Sequence, residues 1–111
     1  MSVLDEQQRA DLQSKLAALR ESYAQSIPAK RADIAQKWTH FYETNDQQKL
    51  SELIDVVHKL AGTAKTYGFA EIGVLASDLE DALLLLQEDI GNSDLFRQAD
   101  KVARKLNTTT T

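Results

Sequence analysis

The chain has 111 residues, with 17 acidic and 13 basic side chains for a formal net charge of -4, and no cysteine. That length fits one domain with a modest core, and the missing thiols exclude disulfides and thiolate metal sites and fit a reducing cytoplasm. Charges of both signs are interspersed without a basic stripe, which argues against a nucleic-acid partner, and no run approaches the ~20 apolar residues of a membrane span.

One proline and four glycines leave little material for turns, and strand-like runs of β-branched residues are missing. The expected fold class is therefore all-α, with short connections. In chain order, a first helical segment runs from about Asp5 to Gln25, with Leu12, Leu16, Leu19 and Tyr23 on one face. Ser26 and Pro28 predict a break and restart, because proline suits a first turn and penalises a helix interior. A second segment reaches about Thr44 and places Ile34, Ala35, Trp38, Phe41 and Tyr42 together. "TND" at 44–46 reads as a turn with Asp46 as the next cap.

The third segment, about Gln47 to Thr66, has the clearest stripe: Leu50, Leu53, Ile54, Val57, Leu60, Ala61 and Ala64. Gly68 is placed to end it in a left-handed conformation, with Phe69 folding back. A fourth segment from Ala70 to about Asp89 carries Ile72, Leu75, Ala76, Leu79, Ala82, Leu83 and Leu86. After "GNS" at 91–93, with Ser93 as the expected cap, a fifth runs to about Leu106 on Leu95, Phe96, Ala99, Val102, Ala103 and Leu106. The architecture expected is an antiparallel up-down four-helix bundle with an additional N-terminal helix. The domain is read as residues 1–106, with 107–111 a polar tail that would suit a linker. The N-terminus lacks the basic-then-apolar character of a signal peptide.

On the helical wheel of the third segment, His58 falls at the polar margin of the apolar stripe. Ser51, Gly62 and Lys65 share that margin, Asp55 lies slightly further out and Lys59 projects towards solvent. A neutral imidazole is a nucleophile at neutral pH. A phosphoryl group on it would carry negative charge that Lys59 and Lys65 could meet. Gly62, which costs about 1 kcal/mol in a helix interior, would let a partner approach the backbone closely. Taken singly, each of these residues has a plainer reading: a surface histidine, a glycine for helix packing, solvated lysines. His40 reads as structural or surface, and the two histidines lie on different helices with no spaced partner for a metal.

Taken together, "HKLAGTAKTYGF" resembles the signature of histidine phosphotransfer (HPt) domains of bacterial two-component phosphorelays. His58, Leu60, Gly62, Thr63, Ala64, Tyr67 and Gly68 fill its specified positions. The resemblance extends through "FAEIGVLASDLEDAL", with its Leu79–Glu80 pair, and covers roughly residues 46–86. It implies a four-helix bundle presenting His58 as the phospho-accepting residue. Lys59 would sit beside the phosphoryl group, Gly62 would clear the approach, and Gly68 would shape the turn after the helix. Glu80 would hydrogen bond the other imidazole nitrogen, though it reads equally as a solvated glutamate. Where many members carry lysine three residues after the histidine, this chain has Ala61, and Lys59 and Lys65 supply the positive charge instead.

The implied function is that of a cytoplasmic, monomeric phosphorelay intermediate. It would exchange phosphoryl groups with the aspartate of a response-regulator receiver domain and work with a sensor or hybrid histidine kinase. The chain has no glycine-rich nucleotide loop, so no kinase or phosphatase activity of its own is expected. It would carry no cofactor of its own, the magnesium being supplied by the receiver. A non-catalytic helical interaction or dimerisation module is the alternative.

Overall fold

The computed structural model describes residue 3 and residues 5–109. Four helices account for nearly all of them: α1 (Glu6–Thr44), α2 (Gln47–Thr66), α3 (Ala70–Glu88) and α4 (Ser93–Thr108). Helix α1 packs on α2 and α4, and α3 packs on the same two from the other side, which closes an antiparallel up-down ring. Its core is built from Ile27, Phe41, Leu50, Leu53, Leu79, Leu83 and Leu106, all essentially without solvent contact.

The first two expected segments are one helix. Pro28 lies inside α1, where it removes one intrahelical donor. Its ring is on the exposed side, while Tyr23 and Ile27 before it and Ile34 after it are buried. Burial on both sides outweighs the one lost hydrogen bond, so the expected break and the separate N-terminal helix do not form. The long axis of the molecule, 58 Å against 26 and 22 Å, follows this 39-residue helix. Its first half overhangs: Leu12, Leu16 and Leu19 are about half exposed.

The turns are set by local chemistry. Asp5 and Gln8 form a reciprocal capping box at the start of α1. Asn45 ends α1 in the left-handed region at φ 52°, and the Asp46 carboxylate then accepts from the Gln48 and Lys49 amides, at 2.8 and 3.3 Å. Gly68 ends α2 at φ +85°; its own amide reaches Lys65 O and the Phe69 amide reaches Ala64 O at 2.8 Å. That pair of bonds is a Schellman termination, and the left-handed residue it needs explains the glycine. The cap of α4 is Asn92 rather than Ser93, because the Asn92 side chain, one residue earlier, already accepts from the Asp94 and Leu95 amides. Helix α4 also runs through Asn107 and Thr108, beyond the expected end at Leu106, and the Thr109 hydroxyl donates to Glu71 at 2.7 Å. Residues 110–111 of the expected tail lie outside the described residues.

Two polar links tie α1 across the bundle. Tyr23 and Thr63 share a 2.7 Å hydroxyl hydrogen bond to α2, and Trp38 Nε1 donates to Asp100 Oδ1 on α4 at 3.0 Å. Trp38 also packs at a tilt against Phe41 and Phe96, closing one end of the core with aromatic rings.

Candidate functional site

Helix α2 buries Leu53, Ile54, Val57, Leu60, Ala61 and Ala64. The same periodicity leaves His58 on the margin facing α3. Three side-chain contacts mark the seam between these antiparallel helices. Gln87 Nε2 donates to Ser51 Oγ at 3.1 Å, His58 Nδ1 lies 2.7 Å from Glu80 Oε2, and Lys65 Nζ donates to Ser77 Oγ at 2.9 Å. Ser51, His58 and Lys65 are spaced by seven, two helical turns, so each returns to the same face.

The His58 side chain is 72% exposed while Glu80 is only 20% exposed. The imidazole thus stands in water but is anchored at one edge by a carboxylate half-sunk in the seam. A carboxylate accepts, so in the neutral ring Nδ1 carries the proton and Nε2 keeps its lone pair. Among the described residues nothing else hydrogen bonds to that ring. The arrangement can present an oriented, solvent-facing nucleophile braced at its other nitrogen by a carboxylate. Glu80, which the sequence left open between a hydrogen-bond partner and a solvated glutamate, is placed against the imidazole.

Gly62 is one turn beyond His58, and a Cβ built there meets nothing within 4 Å. Packing among the described residues therefore gives no reason for glycine at 62. Lys59 is exposed and lines a groove of about 240 Å³ between α1 and α2, with Lys30, Asp33, Ile34, Val56, Leu60 and Thr63. Lys65 lies on the opposite, α3 side. The two lysines thus flank the α2 margin rather than cluster. Gly68 is brought into the turn and not to His58: ten residues along α2 correspond to about 15 Å, and its neighbour is the Arg20 guanidinium, 3.5 Å from where a Cβ would sit.

Some residues of the seam were not singled out from the sequence. Gly73 packs directly under Lys65, and Ser77 and Gln87 hold the two flanking contacts. Only the seven-residue spacing of the α2 margin hinted that α3 must present a matching row. His40 is exposed beside Lys37, Lys49 and Glu52, far from this seam in sequence and on a different helix pair. Among the described residues no group of three or more His, Cys, Asp or Glu side chains could hold a metal ion, and no helix is long and apolar enough to cross a membrane.

The family model described as "Hpt domain" matches residues 18–107, most of the chain and all of the seam. No curated protein and no solved structure gives a significant match. The match begins at residue 18, inside the part of α1 where the leucine stripe is exposed.

Proposed function

Because this chain belongs to the Hpt domain family, a family of phosphotransfer modules, we propose that it is a phosphorelay intermediate with His58 as its phospho-accepting residue. The observation that carries the assignment is the exposed imidazole held at Nδ1 by Glu80 at 2.7 Å. In the proposed step the His58 Nε2 lone pair attacks the phosphorus of a receiver's aspartyl phosphate. The P–O bond to the aspartate breaks and its electron pair stays on that side chain, restoring the carboxylate. The Nδ1 proton remains in place, and Glu80 balances the positive charge the ring acquires. Transfer onward reverses the sequence.

Phosphoryl transfer depends on in-line positioning and charge stabilisation more than on covalent help from the protein. Gly62 serves the first by leaving the backbone bare beside His58; Lys59 and Lys65 serve the second. In this reading the magnesium ion, along with the rest of the acidic pocket, belongs to the receiver. The partners are then a response-regulator receiver and a sensor or hybrid histidine kinase, with this chain acting as a cytoplasmic monomer between them.

Incubation with a phosphorylated receiver domain is expected to label the protein with phosphate that is acid-labile and alkali-stable, and His58→Gln is expected to abolish the label. Equal labelling of His58→Gln would overturn the assignment. No uptake by the wild-type chain would leave a helical interaction module.

A further inference from the structure

The lysine of the seam has a seat built for it on the opposite helix. A Cβ placed on Gly73 would stand 2.5 Å from Lys65 Cγ, 3.3 Å from Lys65 Cε and 3.4 Å from the Lys65 backbone nitrogen. The Lys65 stem therefore lies flat across α3 through a notch that any larger residue would fill. Its ammonium then donates to Ser77 Oγ at 2.9 Å. In the register that pairs Ser51 with Gln87 and His58 with Glu80, residue 77 stands opposite residues 61–62. The ammonium is thus drawn back along α2 from its own Cα, by roughly one turn or about 5.4 Å, to the level of Gly62. It points towards His58 rather than away from it.

Gly73 is buried, whereas Gly62 has open space around it. The two glycines do different jobs: one opens α2 outward, the other receives a side chain. A lysine free in solvent spreads its charge over many rotamers and loses side-chain entropy when it meets an anion. A lysine laid in a notch and held at its tip has already given up that freedom.

We propose that Gly73 and Ser77 are positioning residues that hold the Lys65 ammonium as a fixed positive charge beside the Gly62 clearing, where it meets the phosphoryl-bearing acidic site of the incoming receiver. The inference rests on the phosphoacceptor reading of His58. It assigns roles to two α3 residues that touch neither the imidazole nor the phosphoryl group.

The test is the second-order rate of phosphoryl transfer from a phosphorylated receiver, at low and at physiological salt. Lys65→Ala is expected to slow transfer about fivefold at low salt, and less at higher salt because the lost term is screened. Gly73→Ala, by forcing the stem out of the notch, is expected to cause a similar loss and the same flattening of the salt dependence. In a Lys65→Ala background, where the notch is empty, Gly73→Ala is expected to change nothing further. That double variant relieves the overlap, so its thermal unfolding also shows that the fold survives. The proposal is overturned if Lys65→Ala keeps the wild-type rate and salt dependence, or if Gly73→Ala slows transfer equally with and without Lys65. Failure of the wild-type chain to accept phosphate at all is a different result, and would remove the phosphoacceptor reading together with this one.

Discussion

At the residue scale the site turns on one imidazole and the absence of one side chain. His58 is exposed, yet its Nδ1 is held by a carboxylate that is largely sunk between helices, so the ring is accessible without being free to spin. Gly62 contributes only space, and this separates its effect on stability from its effect on function. Gly62→Ala is expected to raise the unfolding free energy by about 0.5–1 kcal/mol, since the new methyl meets nothing and glycine is the weaker helix former. Gly62→Leu is expected to slow transfer on the order of 100-fold by displacing the partner from His58. Thermal unfolding and transfer rates measured on the same samples would show the two effects diverging; a Gly62→Ala protein that unfolds more easily would mean the site needs glycine for its own folding. Sequence spacing alone placed His58, Gly62 and Lys65 on one margin. It could not reveal Gly73 as the seat for Lys65, because that depends on how far α3 slides along α2, and register is a tertiary property.

At the scale of elements, α2 was the most legible part of the chain. Leu50, Leu53, Ile54, Val57, Leu60, Ala61 and Ala64 are all buried, as their spacing requires, and Gly68 terminates the helix in the expected left-handed conformation. Helix α1 was the least legible. Pro28 has the local chemistry of a boundary, but the buried residues on either side keep the helix continuous across it, a tertiary contribution that local propensity does not include. The link from α1 to α4 supplies a test through pH. Burial pushes the Asp100 carboxyl up, but hydrogen bonds from Trp38 and Arg104, with the Arg104 charge, outweigh it and hold the group below its ordinary value of 3.8. A carboxylate depressed in the folded state adds stability above the ordinary value and loses it as pH falls through the lower, folded value. Acid unfolding followed by the fluorescence of Trp38, the single tryptophan, is expected to show this loss below about pH 4. Asp100→Asn is expected to be less stable at neutral pH and to lose less on acidification; an unchanged acid profile would contradict the role given to that contact.

At the scale of the whole molecule, a closed four-helix ring carries a single helix that overshoots it. Leu12, Leu16 and Leu19 continue the apolar pattern of α1 but stay about half exposed, because α2 and α4 end before they can cover them. The pattern predicted a helix there correctly, yet a stripe of leucines does not say whether a partner helix exists to bury it. Replacing all three with glutamine is expected to change the unfolding free energy by no more than about 0.5 kcal/mol, measured by denaturant titration; a loss of several kcal/mol would show that the overhang belongs to the core. The bundle itself serves to hold two helix margins in register, so that His58 meets Glu80 midway along a row that runs from the Ser51–Gln87 contact to the Lys65–Ser77 contact. The most direct test of that account is to mix the protein with a receiver domain carrying aspartyl phosphate and follow both partners by 31P NMR. The expected result is loss of the acyl-phosphate signal matched by a phosphoramidate signal assigned to His58 Nε2 and missing from His58→Gln. Phosphate that stays on the receiver, or that appears on any other residue, would contradict it.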